Sequence, residues 1–256
     1  MSGTFGDILR EWRGKRRFSQ LDLSLAAETS ARHLSFLESG RANPSRAMVL
    51  RLTDALEMPK AVANTALTAA GFAAVFPNLP PDDDALAPVY AAIREMLANH
   101  TPQPGFAIDR HWNVIDANGP ATALFGVIGA QAETNMIEVL LALGETELME
   151  NWRETALLAI ARLNLENARC GGDAVLSDYI KRLAAHPRLA EINDDDIDYG
   201  RAVIPSVFNL NGQRLSVFST IAEFGTVQDV AACDVRIELM FAADNATREF
   251  FRRMAN

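Results

Sequence analysis

A proline-rich, acidic stretch divides this 256-residue chain into two unequal parts. It runs from Phe76 to Asp84 and holds three prolines, followed by three consecutive aspartates. Proline blocks helix continuation because it lacks a backbone N–H, whereas acidic residues favour the start of a helix. We therefore predict a linker over residues 77–84, with one domain of residues 1–76 before it and a second of residues 85–256 after it.

The composition is that of a globular protein, with 49% hydrophobic and 22% charged residues. No apolar run approaches the roughly 18 residues of a membrane-spanning helix, and the N-terminus lacks the apolar stretch of a secretion signal. Cys170 and Cys233 are too few for a disulfide framework. Reduced thiols, a cytoplasmic location and no membrane partner are therefore expected.

Charge is distributed unevenly between the two parts. The net charge is −9, but residues 1–76 hold ten Lys/Arg and seven Asp/Glu, a net of +3, and the remainder carries −12. Five basic residues fall within the eight positions from Arg10 to Arg17. A basic domain joined to an acidic one is typical of a protein that binds nucleic acid through the basic domain only. A solvated basic helix face is the alternative interpretation.

The first part contains no strand-like alternation and predicts five short helices. Ser19 is an N-cap candidate, and Asp22 three residues later completes a capping-box pattern. Leu21 and Leu25 are predicted to face inward. The five helices are predicted at about Phe5–Arg16, after Ser19, at Ala31–Ser39, after Ser45, and at Lys60–Ala70.

A helix-turn-helix signature lies within these helices. It comprises Ser19-Gln20, an apolar-Ser-x-apolar-Glu-x-Gly run from Leu34 to Gly40, and the tail from Arg41 to Pro44. In this combination, residues 1–76 closely resemble the phage-repressor-like (XRE) helix-turn-helix family. The resemblance implies binding to double-stranded DNA, with a homodimer reading two half-sites. Glu28 departs from the family, which has glycine in this turn, and a left-handed Glu would be strained by roughly 1 kcal/mol.

Helix three is the predicted recognition helix. With Leu34 and Leu37 buried, its other positions face the major groove. Arg32 can donate two hydrogen bonds to a guanine edge, and Ala31 and Phe36 can contact thymine methyl groups. Packing of Phe36 against the neighbouring helix is the alternative for that residue.

Other contacts follow from the family resemblance. It implies that Gln20 binds phosphate and braces the recognition helix, and that Arg41 and Asn43 touch the DNA backbone. His33 is either a groove contact or an exposed spectator. The predicted DNA-binding residues are Gln20, Ala31, Arg32, His33, Ser35, Phe36, Arg41 and Asn43.

The second part predicts an α+β domain with a five-stranded antiparallel sheet and helices on one face. Asn211-Gly212 between two β-rich runs is typical of a two-residue hairpin loop. In the last strand, apolar residues alternate with Arg236 and Glu238, which indicates a single buried face. The predicted strands are 106–109, 113–117, 203–210, 214–224 and 235–241, and the predicted helices are 84–99, 120–125, 136–143, 145–169, 174–185 and 245–254.

The start of this domain is similar to that of a PAS domain. Asp109 lies in a turn between two strands, Asn118 ends the second strand, and a short helix then ends with apolar residues followed by Gly126. The segment 215–230, together with the residues around Trp112 and Asn118, resembles the MmyB-like ligand-binding domain. That family has a PAS-like fold and follows an XRE helix-turn-helix. The resemblance implies transcription regulation, with fatty-acid-like molecules as a ligand class.

A cavity between helices and sheet would bind such a ligand, although an ordinary filled core is the alternative. Four arginines, Arg162, Arg169, Arg201 and Arg214, are candidate carboxylate anchors, with surface salt bridges as the alternative role for each. The predicted pocket residues are Phe106, Ile108, Trp112, Leu124, Phe125, Leu140, Trp152, Phe208, Phe218, Ile221 and Phe241.

Catalytic and metal motifs are missing from the sequence. Asp194, Asp196 and Asp198 have the spacing of a calcium loop, but Tyr199 and Pro205 occupy positions that need Gly and Glu. The four histidines never occur at metal-ligand spacing, and no nucleophile elbow or triad is evident. No enzyme activity, metal or resident cofactor is therefore expected.

Two functional hypotheses remain from the sequence. The first is a sequence-specific DNA-binding transcription regulator whose PAS-like domain senses a small apolar ligand. The second is a constitutive DNA-binding protein whose second domain serves dimerisation or partner recruitment without a ligand. The two differ in whether the second domain binds an apolar small molecule.

Overall fold

The structure is a computed structural model that describes residues 3–130, 134–190, 197–198, 200–210 and 212–254. The chain divides into two compact units. The first comprises Met1–Asn78 with the short segments Leu165–Asp173 and Gln228–Val230, and the second comprises the rest of the chain. Across the described ranges, no helix is both long enough and apolar enough to cross a membrane.

The first unit begins with the five predicted helices, counted over residues 3–78. Four of them start at a hydroxyl residue, Thr4, Ser19, Ser30 or Ser45, whose side chain accepts a hydrogen bond from the amide three residues later. Such caps satisfy amides that have no partner within the helix. The helices are α1 (Phe5–Lys15), α2 (Gln20–Ala26), α3 (Ala31–Glu38), α4 (Arg46–Ala55) and α5 (Lys60–Ala69).

These five helices also end alike. Two residues beyond each helix the backbone is left-handed, at Arg17, Glu28, Gly40, Glu57 and Gly71, with φ between 46° and 85°. The amide after each of these residues donates to the carbonyl five positions back, at 2.8–3.0 Å. This is the Schellman arrangement, which favours glycine at the left-handed position. Among these five described positions, only Gly40 and Gly71 are glycine, so Arg17, Glu28 and Glu57 adopt a strained backbone conformation.

Glu28 lies in the turn between α2 and α3 and adopts the left-handed conformation, with φ of 49°. Replacing Glu28 with glycine should stabilise the first unit by about 0.5–1 kcal/mol, because the relief of left-handed strain outweighs the greater entropy of glycine in the unfolded chain. Urea unfolding followed by the methyl NMR signals of the buried Leu34 measures this change. A variant no more stable than the parent would show that the turn is unstrained.

The core of the first unit gathers side chains from all five helices. Gly6 allows α1 to approach the end of α3, since a Cβ there would lie 2.7 Å from the carbonyl oxygens of Leu37 and Glu38. The predicted burial of Leu21 and Leu25 was wrong: they are 60% and 70% exposed. The sequence of α2 is apolar at alternating positions, so both faces of this short helix carry leucine and the pattern does not identify the buried one.

The second unit contains five strands within the residues that the structure describes, together with six helices, the fourth of which has its last five residues in the first unit. The helix over 245–254 has the predicted bounds. The strands are β1 (Gly105–Ile108), β2 (Val114–Ala117), β3 (Ser206–Leu210), β4 (Gln213–Glu223) and β5 (Arg236–Ala242). The helices are α6 (Ala87–Asn99), α7 (Gly119–Val127), α8 (Met136–Gly144), α9 (Trp152–Arg169), α10 (Ala174–Ala184) and α11 (Asn245–Met254).

The described strands form one antiparallel sheet in the order β2-β1-β5-β4-β3, which confirms the predicted five-stranded α+β domain. Leu210 pairs with Gln213, so β3 and β4 are joined by a two-residue hairpin loop. Asn211 of the predicted Asn-Gly turn lies outside the described residues, and Gly212 has a positive φ of 80°.

Both faces of this sheet are covered, so the prediction of helices on one face was wrong. Ile93 and Leu97 of α6 pack with Ala107 and Ile237 on one side. On the other side, Phe106 belongs to the larger core formed with α7–α10. β1 is buried at every position, and this pattern indicates a strand enclosed on both faces.

The helix predicted from Glu145 begins only at Trp152. The preceding segment lies along β3 instead. The Glu150 amide donates to the Val207 carbonyl at 2.8 Å, and the Asn209 amide donates to the Leu148 carbonyl at 2.7 Å. Backbone groups of this segment are therefore used by the sheet and are not available to a helix.

Candidate functional site

The recognition surface is built by α3 and the loop that follows it. Leu34 and Leu37 point into the core at 0% and 1% exposure, as predicted. Arg32 is exposed on the opposite side of the helix. The other predicted DNA contacts are also at least partly accessible: Ala31, His33, Ser35 and Phe36 are half-buried on α3, Gln20 is half-buried on α2, and Arg41 and Asn43 are exposed in the loop.

Arg32 and Phe36 lie one helical turn apart and interact. The guanidinium carbon of Arg32 is 5.5 Å from the centre of the Phe36 ring, within the range of a cation–π contact. Phe36 is half-buried, so its ring packs partly against the domain while supporting the arginine. A supported guanidinium loses less side-chain entropy when it binds a base edge.

Glu38, at the end of α3, joins three helices. Its carboxylate is only 3% exposed and receives Arg13 Nε at 2.6 Å, Arg13 Nη2 at 3.0 Å and Gln20 Nε2 at 2.8 Å. Gln20 thus braces the recognition helix through one amide hydrogen, and the second hydrogen of that NH₂ group remains as a donor. Gln20 was predicted from the sequence, whereas Glu38 and Arg13 were not, although the apolar-Glu-x-Gly run contains Glu38.

Burial alone would raise the pKa of Glu38. The hydrogen bonds from Arg13 and Gln20, with the charges of Arg13 and Arg10, outweigh burial and hold the pKa below its ordinary value. Since the pKa is lower in the folded protein than in the unfolded chain, the carboxylate stabilises the first unit above the unfolded pKa of about 4.3. That stabilisation is lost as the pH falls through the folded pKa.

A matched variant isolates this pH dependence. At pH 7 the protein should be more stable than its Glu38→Gln variant, and the difference should shrink as the pH falls below the unfolded pKa of about 4.3 and through the lower folded pKa, where both side chains become neutral. Thermal unfolding of the two proteins, followed by the methyl NMR signals of Leu34, measures the difference. A gap that stays constant down to pH 3 would mean that the carboxylate charge is irrelevant to stability.

Most of the basic side chains between Arg10 and Arg17 already bind other groups of the first unit. Arg13 binds Glu38, and Arg16 donates to the carbonyls of Leu56 and Glu57 at the end of α4, both at 2.8 Å. Lys15 pairs with Glu11 at 2.7 Å. The sequence cluster therefore serves mainly to join helices, and its five charges do not form one free phosphate-binding patch.

The second unit contains a cavity of about 270 Å³ between the sheet and α7–α9. This is close to the lower end of the size range of small-molecule sites, on the order of 300–1,000 Å³. Its wall is mostly apolar. Six of the predicted pocket residues line it: Phe106, Trp112, Leu124, Phe125, Leu140 and Phe208.

The other five predicted pocket residues lie outside this lining. Ile108 and Trp152 are fully buried in the core, and the Trp152 indole donates to the Leu140 carbonyl at 2.6 Å. Phe218 lines a neighbouring cavity and stacks on Phe241, with ring centres 5.6 Å apart. Ile221 is 44% exposed. Aromatic and aliphatic residues in a β-rich sequence fit a core and a pocket equally well, so pattern alone does not separate the two.

The cavity lining includes one ion pair. Arg162 Nη1 and Glu238 Oε1 are 2.6 Å apart, and both residues line the cavity. The Arg162 guanidinium lies 4.2 Å from the Trp112 ring centre, and that of Arg236 lies 5.3 Å from it. The alternation of apolar and polar residues predicted that Glu238 faces solvent, but Glu238 is buried at 8% exposure. Both faces of β5 are covered, and period-two alternation does not reveal this.

Trp112 is held in a left-handed backbone conformation, with φ of 69°. The turn is fixed by Asp109, whose Oδ1 accepts hydrogen bonds from the amides of His111 and Asn113 at 2.8 and 3.0 Å. Arg236 donates to the carbonyl of Asp109 at 3.0 Å. Strained residues that lie beside a cavity are common in binding sites because the surrounding structure must hold them in place.

Two of the other candidate carboxylate anchors bind acidic residues of the protein. Arg201 pairs with Glu154, and Arg214 Nε is 2.9 Å from Glu150 Oε2. Arg162 lines the cavity, whereas Arg169, Arg201 and Arg214 do not. Arg201 and Arg214 therefore form salt bridges, which was the alternative to anchoring a ligand carboxylate.

A search of the described residues finds no group of His, Cys, Asp and Glu that could hold a metal ion. Asp194 and Asp196 of the failed calcium pattern lie outside those residues. Cys170 and Cys233 are not joined in a disulfide.

Comparison with known families gives two matches. Residues 89–254 match the family described as the MmyB-like transcription regulator ligand binding domain. Residues 4–66 match a helix-turn-helix domain family. No curated protein sequence matches the chain.

Proposed function

Because this chain belongs to the family of MmyB-like transcription regulators, with a helix-turn-helix DNA-binding domain and a ligand-binding domain, we propose that it recognises a specific operator and senses a small apolar, fatty-acid-like ligand. We further propose that it acts in the cytoplasm, as a homodimer on two half-sites about 34–36 Å apart. The domain boundaries that we assign to these roles are residues 1–76 and 85–256, joined by residues 77–84.

For DNA recognition, α3 enters the major groove with its accessible face toward the bases. Arg32, supported by Phe36, donates to a guanine edge, while Ala31 contacts a thymine methyl group. The free amide hydrogen of Gln20 binds phosphate, and Arg41 and Asn43 contact the backbone and fix the register. His33 and Ser35 contact neighbouring groups in the groove.

The observation that supports ligand binding is the apolar cavity. The cavity of about 270 Å³ is lined mostly by apolar side chains, and burying an alkyl chain against them would contribute about 0.8 kcal/mol per CH₂ group to binding.

Ligand binding regulates transcription only if it discriminates between two states of the protein. A ligand shifts an equilibrium by no more than its difference in affinity for the two states. We propose that the liganded and empty proteins differ in operator affinity.

The first test uses the full-length protein. Native mass spectrometry gives its stoichiometry, and organic extraction with mass spectrometry identifies any molecule that it carries. Selection from random duplex DNA then gives the operator. A co-purifying apolar molecule that changes operator affinity supports the proposal. A protein that carries no ligand, binds none of a series of straight-chain amphiphiles and still selects an operator would instead support constitutive DNA binding.

A further inference from the structure

The ion pair in the cavity lining restricts the head group of the ligand. Among the described lining residues, Arg162 and Glu238 are the charged ones, and they already form an ion pair at 2.6 Å. Their side chains are 23% and 11% exposed, so solvent screens the pair only in part. The described lining therefore presents one neutralised ion pair, three hydroxyl side chains and otherwise mainly apolar residues.

A carboxylate ligand would compete with Glu238 for the same guanidinium. It would either displace Glu238, and so leave a buried anion without its partner, or share Arg162 and place two anions side by side. Both arrangements are unfavourable where the dielectric constant is low. Arg236 does not relieve the conflict, because it does not line the cavity and its Nη2 donates to the carbonyls of Asp109 and Arg110, at 3.0 and 3.4 Å.

An uncharged polar head group meets no such conflict. A hydroxyl, ester or amide oxygen can accept from Arg162, and an O–H or N–H can donate to Glu238, while the ion pair persists. The hydroxyl groups of Thr155, Ser206 and Ser219 also line the cavity and add neutral partners. We infer that the ligand is a neutral amphiphile, an alkyl chain with an uncharged polar head, and that Glu238 selects against the ionised fatty acid. This inference rests on the proposed ligand function.

The test compares two probes of equal chain length, decanamide and decanoic acid, at pH 8, where the acid is ionised. Isothermal titration calorimetry with the full-length protein should give at least tenfold tighter binding for the amide. In the Glu238→Gln variant the charge is removed and the size retained, so the preference should fall to near equality or reverse. Glu150→Gln, which removes the same charge from the exposed pair with Arg214, should leave the preference unchanged.

The outcomes separate this inference from the function on which it rests. If the native protein binds decanoate as tightly as decanamide or more tightly, the inference is overturned while ligand sensing stands. If Glu150→Gln and Glu238→Gln weaken the preference equally, general surface charge and not Glu238 sets the selectivity. If neither probe binds, the ligand function fails and the inference fails with it. The comparison in the native protein remains decisive even if Glu238→Gln does not fold.

Discussion

Replacing Glu38 with alanine is expected to lower the free energy of unfolding of the first unit by about 3 kcal/mol. Removal of one member of a buried ion pair costs about 3–5 kcal/mol because the remaining charge loses its partner. The low end applies here because Arg13 keeps 18% exposure and water can reach it. Gln20 also loses the acceptor through which it braces α3. Urea unfolding of the full chain, followed by the methyl signals of Leu34 and Leu37, measures the change.

The matched control is Glu11→Ala in the same unit. Glu11 pairs with Lys15 at 2.7 Å, but its side chain is 44% exposed, and exposed pairs within a helix contribute only about 0.3–0.5 kcal/mol. The two variants remove the same charge from different environments. A loss below 1 kcal/mol for Glu38→Ala, or equal losses for both, would show that the Glu38 cluster does not hold the helices together.

Replacing Arg32 with alanine is expected to weaken operator binding by about 1–3 kcal/mol and to relax the base preference at one position of each half-site. The physical reason is the loss of two hydrogen bonds to a guanine edge. Fluorescence anisotropy with the selected operator, and with operators changed at single base pairs, measures both effects. Stability should hardly change, since Arg32 is exposed and its cation–π contact with Phe36 lies at an exposed site, where such contacts contribute only about 0.5–1 kcal/mol.

Arg51→Ala provides the comparison for Arg32→Ala. Arg51 is exposed on α4 and carries the same charge, but it lies outside the recognition helix. Its loss should leave base preference intact. If Arg32→Ala weakened binding to every sequence equally and lowered the salt dependence, Arg32 would be a phosphate contact, and the base-reading role would be excluded.

Much of the first unit could be predicted because its signals are local. Ser19, Ser30 and Ser45 each begin a helix at the position that capping chemistry requires. The left-handed conformation of Glu28 could not be predicted in the same way, because glutamate replaces the glycine that is usual in the family. Leu21 and Leu25 were misplaced because a short helix with leucine on both faces does not identify its core side.

In the second unit, the strands and their order of appearance were predictable, but the function of particular faces was not. Glu238 alternates with apolar neighbours, as a solvent-facing residue would, yet it lines a cavity. Trp152 and Ile108 are residue types that commonly line pockets, but in this structure they are buried in the core. Such distinctions depend on which helix covers which face, and this is settled by contacts between residues far apart in the sequence.

The contact between residues 148–151 and β3 has a consequence for self-association. The amide and carbonyl of Val207 and the amide of Asn209 point away from β4, and they are bound by Asn151, Glu150 and Leu148. Open strand edges recruit strands from other molecules, which leads to sheet extension or aggregation. With these groups occupied, this edge cannot be lengthened by a strand from a second copy. Two copies that associate through the second unit must therefore join through side-chain surfaces at this edge, and surface substitutions rather than backbone pairing would tune their affinity.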